Sequence, residues 1–146
     1  FHPTLNIAYL FGELSSDVLV LDFDASTGEF TEKQMISTIP NEHTGFNGGA
    51  AIRISSDGRF VYASNRGHDS IVIYETEEDG KLKLVGYTPT EGNTPRDFNI
   101  DPTEEFLVVA HQDSDNLTLF ERNADDGTLT LLQKDVAAPE VVCVAL

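Results

Sequence analysis

An all-β fold made of propeller blades is predicted by three observations. No window carries the 3.6-residue apolar period of a helix, short β-branched and aromatic runs are bounded by Gly, Asp and Ser, and one pattern returns along the chain. The stretch opening with Phe1-His2-Pro3 aligns with Ile54-Ser55-Ser56-Asp57-Gly58-Arg59-Phe60 and with Ile100-Asp101-Pro102-Thr103-Glu104-Glu105-Phe106. Ile7, Phe60 and Phe106 then share one position, and Glu13, Arg66 and Gln112 share another. A repeat of roughly 40 to 50 residues built from short strands suits propeller blades, which bury their faces only against neighbouring blades.

The middle repeat shows the strand plan best. Ala50-Ala51-Ile52-Arg53-Ile54 reads as a first strand, Ser56-Asp57-Gly58-Arg59 as a tight turn, and Phe60-Val61-Tyr62-Ala63-Ser64 as a second strand. Ile71-Val72-Ile73-Tyr74 is a third strand. Asp79-Gly80 turns the chain, because both positions of a tight hairpin need residues that tolerate positive φ, and Leu82 to Tyr87 is the fourth strand. Asp126-Gly127 repeats the turn in the next unit, and Thr27-Gly28 holds its place in the first. The blades are therefore expected at 1–49, 50–93 and 94–140, with 141–146 as a further first strand that closes a ring. Phe1 aligns with the end of a first strand, so the first blade is expected to lack its inner strand. Closed propellers use about 4 to 8 blades. Three blades read as part of a larger ring whose other blades are the expected partners, and the isolated chain is expected to self-associate through its open faces.

The 146 residues are 40% hydrophobic and 23% charged, as in ordinary globular proteins. Twenty-five acidic side chains against nine Lys and Arg give a net charge of −16, a field that repels phosphate backbones and anionic lipid. Neither nucleic acid nor a membrane is an expected partner, and no run approaches the ~18 apolar residues of a membrane span. The single cysteine, Cys143, lies in Val141-Val142-Cys143-Val144 and reads as a small buried hydrophobe in a chain suited to the reducing cytoplasm.

Asp22-x-Asp24-x-Ser26-Thr27-Gly28 begins like a calcium loop, but its glycine falls one place late and Lys33 stands at position twelve. The histidines lack metal-ligand spacing, and no nucleophile elbow or phosphate loop occurs, so no metal and no organic cofactor is expected. Asn116-Leu117-Thr118 fits a glycosylation sequon at a strand start and is discounted.

In a propeller, second strands end where first strands begin, on one face. That face is expected to gather Glu13, Arg66 and Gln112 with the loops His43 to Gly49 and Thr94-Pro95-Arg96. Packing favours sameness at equivalent positions, whereas an acid, a cation and an amide there suggest a site. Glu13 suits a general base. Arg66 and Arg96 carry planar forks suited to phosphate or carboxylate. His43, Asn47, His111 and Gln112 are expected to contact substrate. His68 reads as a solvated loop residue and His2 as part of a structural turn. A purely structural Glu13–Arg66 ion pair, and an Arg96 that only anchors its loop, fit the same residues.

Phe1-His2-Pro3, the Glu of Phe11-Gly12-Glu13-Leu14, the run Ile54 to Arg66 and the run Asn93 to Asp101 resemble the lactonase family of seven-bladed propellers, with the whole chain matching its C-terminal three blades. Asn65-Arg66 followed by Thr94-Pro95-Arg96-x-Phe98 is the most specific part. The resemblance implies a sugar-lactone hydrolase, foremost a 6-phosphogluconolactonase of the pentose phosphate pathway, with Glu13, Arg66 and Arg96 as catalytic residues. It also admits a cyclase of the carboxymuconate type, in which the same groups handle a dicarboxylate. A propeller that only binds a ligand or protein at this face stands as the third reading. The family's glycine-proline-arginine segment would precede Phe1, so the chain alone is expected to be inactive.

Overall fold

A computed structural model describes residues 1–146 as eleven strands in three antiparallel sheets, with no helix. The first sheet has three strands, β1 (Ile7–Phe11), β2 (Asp17–Asp24) and β3 (Glu29–Ser37). The second contains β4 (Gly48–Ile54), β5 (Phe60–Arg66), β6 (Ser70–Thr76) and β7 (Leu82–Pro89). The third contains β8 (Pro95–Ile100), β9 (Phe106–His111), β10 (Asn116–Arg122) and β11 (Leu129–Ala137). Strands pair in chain order, and the first sheet lacks the strand equivalent to β4 and β8.

The middle blade is buried on both faces, and its period-2 alternation divides the core. Phe60, Tyr62, Ile71 and Ile73 pack with Phe98, Leu107, Val109 and Phe120 of the third blade. Val61, Ala63, Val72 and Tyr74 point the other way, onto Ile7, Val18 and Val20 of the first. This is why β5 and β6 read as almost continuous apolar runs, as strands covered on both sides do.

One joint recurs between blades. Gly80 and Gly127 turn their hairpins with φ of +84° and +76°. A Cβ at Gly80 would lie 2.6 Å from the Ile7 side chain, and one at Gly127 would lie 2.5 Å from the Phe60 ring. Tyr9 donates to the Gly80 carbonyl at 2.8 Å, and Tyr62 donates to that of Gly127 at 2.9 Å. Each turn glycine thus seats the aligned second-strand residue of the preceding blade, and a tyrosine two places on seals the contact. Arg122 reinforces the second joint: its buried Nε donates to the Tyr62 hydroxyl at 3.1 Å.

Residues 141–146, expected to be a strand, form none. They have no ladder partner and are held by side chains along β8, with Val144 N donating to Asp97 Oδ2 at 2.9 Å and Asn99 Nδ2 donating to the Val144 carbonyl at 3.3 Å. Cys143, expected to be buried, is therefore exposed, because no sheet encloses it.

Candidate functional site

The β1–β2 turn carries Glu13, the end of β5 carries Arg66, and the start of β8 carries Arg96. All three line one open cleft of about 170 Å³ with Phe11, Gly49 and Ala50. Arg66 and Arg96 also line an adjoining cleft of about 420 Å³, with Phe46, Gly67, Asp69, Thr94, Gln112 and Asp113. The two clefts share Arg66 and Arg96 and together make a groove lined by residues of all three blades.

Arg66 is tightly placed. Its Nη2 donates to Glu13 Oε1 and, at 3.0 Å, to the Gly49 carbonyl. Two glycines make room: a Cβ at Gly48 would stand 3.1 Å from Arg66 Nη2, and one at Gly49 would stand 2.6 Å from the Phe11 ring. Hydrogen bonding to Arg66, followed by its charge and more weakly that of Arg96, holds the exposed Glu13 carboxyl below the usual glutamate range. Arg53, Arg66 and Arg122 each sit in an ion pair, and Arg59 donates to the carbonyls of Ala124 and Asp125. Arg96 is exposed and has no such partner. It is the fork that faces the groove uncommitted.

Gln112 lines the second cleft, whereas His43, Asn47 and His111 line neither. Asn47 is spent on scaffolding: Nδ2 donates to Ser16 Oγ at 2.8 Å and Asn65 Oδ1 at 3.0 Å, while Oδ1 accepts from His68 N at 3.1 Å. His43 is half-buried, lies 3.2 Å from the Phe46 carbonyl through Nε2, and packs edge-on against His68 with ring centres 5.1 Å apart. His111 is fully buried beneath Gly92, where a Cβ would come within 2.5 Å of its ring. Its Nδ1 faces the Asn116 carbonyl at 3.2 Å, and its Nε2 has no partner. Burial lowers its basicity.

His68, read as a solvated loop residue, is half-buried between His43 and Tyr87. Desolvation, then the nearby His43, lower its pKa. His2 does cap a turn, with Nδ1 accepting from Thr4 N at 3.1 Å and Leu5 N at 2.9 Å. Phe11, Asp69 and Asp113 line the groove without having been singled out. A half-buried aromatic at a strand end or a turn aspartate carries no signal in one sequence that separates it from its many structural counterparts.

A family model described as "Lactonase, 7-bladed beta-propeller" matches residues 1–146. An uncharacterized protein of Lactococcus lactis subsp. cremoris is 57% identical over 145 residues, 99% of this chain and 42% of that protein. A Bacillus subtilis protein named 6-phosphogluconolactonase is 48% identical over the same proportions. A crystal structure of a Lactobacillus plantarum protein superposes with a TM-score of 0.96 at 49% identity, covering 98% of this chain and 42% of that one. The chain thus spans about 42% of the length of the curated relatives it matches.

Proposed function

Since the chain belongs to the lactonase family of seven-bladed β-propellers, we propose that its three blades carry the catalytic rim of a sugar-lactone hydrolase acting on 6-phosphogluconolactone. The observation that carries this reading is a carboxylate paired to one arginine beside a second, uncommitted arginine, all lining one cleft. The name borne by the Bacillus subtilis relative supports the choice of substrate.

In this mechanism, Arg96 and Arg66 bind the phosphate bidentately. Engagement of Arg66 by the anion loosens its hold on Glu13, and the freed carboxylate becomes a stronger base. Glu13 then takes a proton from water as the water oxygen adds to the lactone carbonyl. Negative charge on the carbonyl oxygen is stabilised by the neighbouring cation. Collapse breaks the bond between the carbonyl carbon and the ring oxygen, which leaves as a hydroxyl with the proton returned from Glu13. No metal or organic cofactor enters these steps. The reaction belongs in the cytoplasm, where sugar phosphates are handled.

Two arginines facing one groove also suit a dicarboxylate, so cyclisation of a carboxymuconate is the second reading. The complete ring carrying these blades, assayed for 6-phosphogluconolactone clearance above the spontaneous rate, distinguishes the two. Loss of Glu13 as base in Glu13→Gln is expected to slow clearance by about 10² to 10⁴. Arg66→Ala is expected to weaken substrate binding. No clearance by the parent ring, or unchanged rates in both variants, removes the hydrolase reading.

A further inference from the structure

We infer that Asp69 is the positioning residue that fixes the distance between the two arginines, an inference that rests on the lactone-hydrolase reading of the groove. Its Oδ1 accepts from Gly67 N at 3.1 Å and from Thr94 N at 3.0 Å. Gly67 directly follows Arg66, and Thr94 precedes Arg96 by one proline. One carboxylate oxygen therefore ties together the two backbone segments that present the cationic forks, and these segments belong to different blades.

The main chain of Asp69 adds to the tie. Its carbonyl accepts from Thr90 N at 3.0 Å and from Thr90 Oγ1 at 2.9 Å, which anchors the start of the loop that ends at Arg96. The tie recurs one blade on, where Asp115 Oδ1 accepts from Glu140 N at 2.7 Å and its carbonyl accepts from Ala138 N at 2.8 Å, but there Gln112 and Val142 stand in place of the two arginines, so only the Asp69 tie joins two cationic forks. Asp24, Asp57 and Asp126 bond only to groups two residues away, as an ordinary Asx turn does. The bond to Thr94 spans 25 residues and crosses between blades, as the Asp115–Glu140 bond leads from the third blade into the terminal segment.

Left-handed backbone is part of this blade joint, occurring at Asp69 and Thr94 as at the aligned Asp115 and Glu140. Thr94 has φ +59°, unusual for a β-branched residue and more so before proline, where the chain prefers to be extended. Its hydroxyl is pinned by Asp113 Oδ2 at 2.6 Å. Gly67 has φ +111°, and a Cβ there would fall 2.1 Å from the Phe46 carbonyl. Such conformations persist where the surroundings over-determine them, and they recur at functional sites. Without the carboxylate, Thr94 would relax toward extended backbone and carry Arg96 away from Arg66.

The position of Asp69 also sets the sign of its effect. It lines the groove beside both arginines, so its charge opposes an anionic ligand while its hydrogen bonds favour one. Asp69→Asn keeps an oxygen acceptor for both N–H groups and removes the charge. Asp69→Ala removes both. Asp69→Glu keeps charge and acceptor but lengthens the arm by one methylene.

The test is steady-state clearance of 6-phosphogluconolactone by the complete ring, with Tm read alongside. Asp69→Ala and Asp69→Glu are expected to raise KM roughly ten- to a hundredfold with kcat little changed, the mark of lost ground-state positioning. Asp69→Asn is expected to keep KM at or below the parent value. Asp126→Ala, which loses a turn on the opposite face, is expected to lower Tm and leave KM alone. A parent-like KM in both Asp69→Ala and Asp69→Glu overturns the inference, as does an Asn variant as impaired as the Ala variant. If Arg66→Ala and Arg96→Ala raise KM while the Asp69 variants do not, only the positioning role fails. If the arginine variants also leave KM unchanged, the reading of the groove fails with it.

Discussion

Glu13 and Arg66 hold each other in the resting groove, so the pH response of the site belongs to the pair. Arg66 keeps the Glu13 carboxyl below its ordinary range, and the acid limb of kcat/KM for the complete ring is expected to lie below the usual glutamate value of about 4.3. With Glu13 as the proposed base, activity is expected to be lost as pH falls through that lowered pKa, because protonation would remove the base. When the anion takes Arg66, the limb seen in kcat is expected to move upward, since kcat reports groups in the bound complex. Identical limbs in both profiles would mean that substrate leaves the ion pair intact.

His111 gives a second pH signature with a different physical origin. Its folded pKa is depressed by burial, so the unfolded chain binds its proton more readily. The sign follows by linkage: its contribution to stability is full above the unfolded value of about 6.5 and is lost as pH drops toward the lower folded value. Tm measured between about pH 7 and 5 is expected to fall less steeply in His111→Gln than in the parent; equal slopes would show that the buried ring does not titrate. The identity of His111 was plain in the sequence, but its direction was not. β9 ends at this residue, and a strand's final side chain can face groove or interior by a single step of the pleat. The scaffolding bonds of Asn47 were illegible for a related reason: its three hydrogen bonds come from partners far away in sequence, Ser16 and Asn65 among them.

At the level of elements, the strand plan was legible because β5 and β6 are bounded by turns with strong local chemistry. The bulge between Gly49 and Ile52 in β4 was not; it recurs between Pro95 and Asp97 at the start of β8, and in β4 it lies beside the glycines against which Arg66 and the Phe11 ring pack. The turn glycines provide a sharp comparison. Gly28 has φ +78° with nothing within 4 Å of a Cβ position, whereas Gly127 has φ +76° with Phe60 at 2.5 Å. In this chain, Gly28→Ala is expected to cost only the left-handed backbone penalty of about 1 to 2 kcal/mol. Gly127→Ala adds a clash with a core ring, so its loss in urea unfolding is expected to be the larger. Equal losses would show that the Gly127–Phe60 joint does not bear on stability. Phe60 itself is 2% exposed, and Phe60→Ala is expected to cost about 3 to 5 kcal/mol.

Across the whole molecule, the first blade turns an apolar face to solvent. Phe1, Leu10, Phe30 and Met35 are each more than half exposed, and Phe1 and Phe30 flank Phe23 with ring centres about 5 Å from it. Exposed apolar surface of this extent marks an interaction face. The isolated chain is expected to sediment as concentration-dependent oligomers, and a compact monomer at all concentrations would count against that. In a complete ring, where a preceding blade fills the Gly28 turn, Gly28→Ala is expected to become as costly as Gly127→Ala. The terminal segment was read as a strand from its apolar run alone. A strand exists only with a ladder partner, which local sequence cannot supply.

That Glu13, Arg66, Arg96 and Gln112 come together was legible, because residues at equivalent repeat positions fall on one face whatever their neighbours do. A crystal structure of the complete ring soaked with 6-phosphogluconate, the expected product, tests this most directly. The account predicts phosphate held between Arg66 and Arg96 with the sugar carboxylate turned toward Glu13. Product bound elsewhere, or Arg66 still paired to Glu13 with the groove empty, would contradict it.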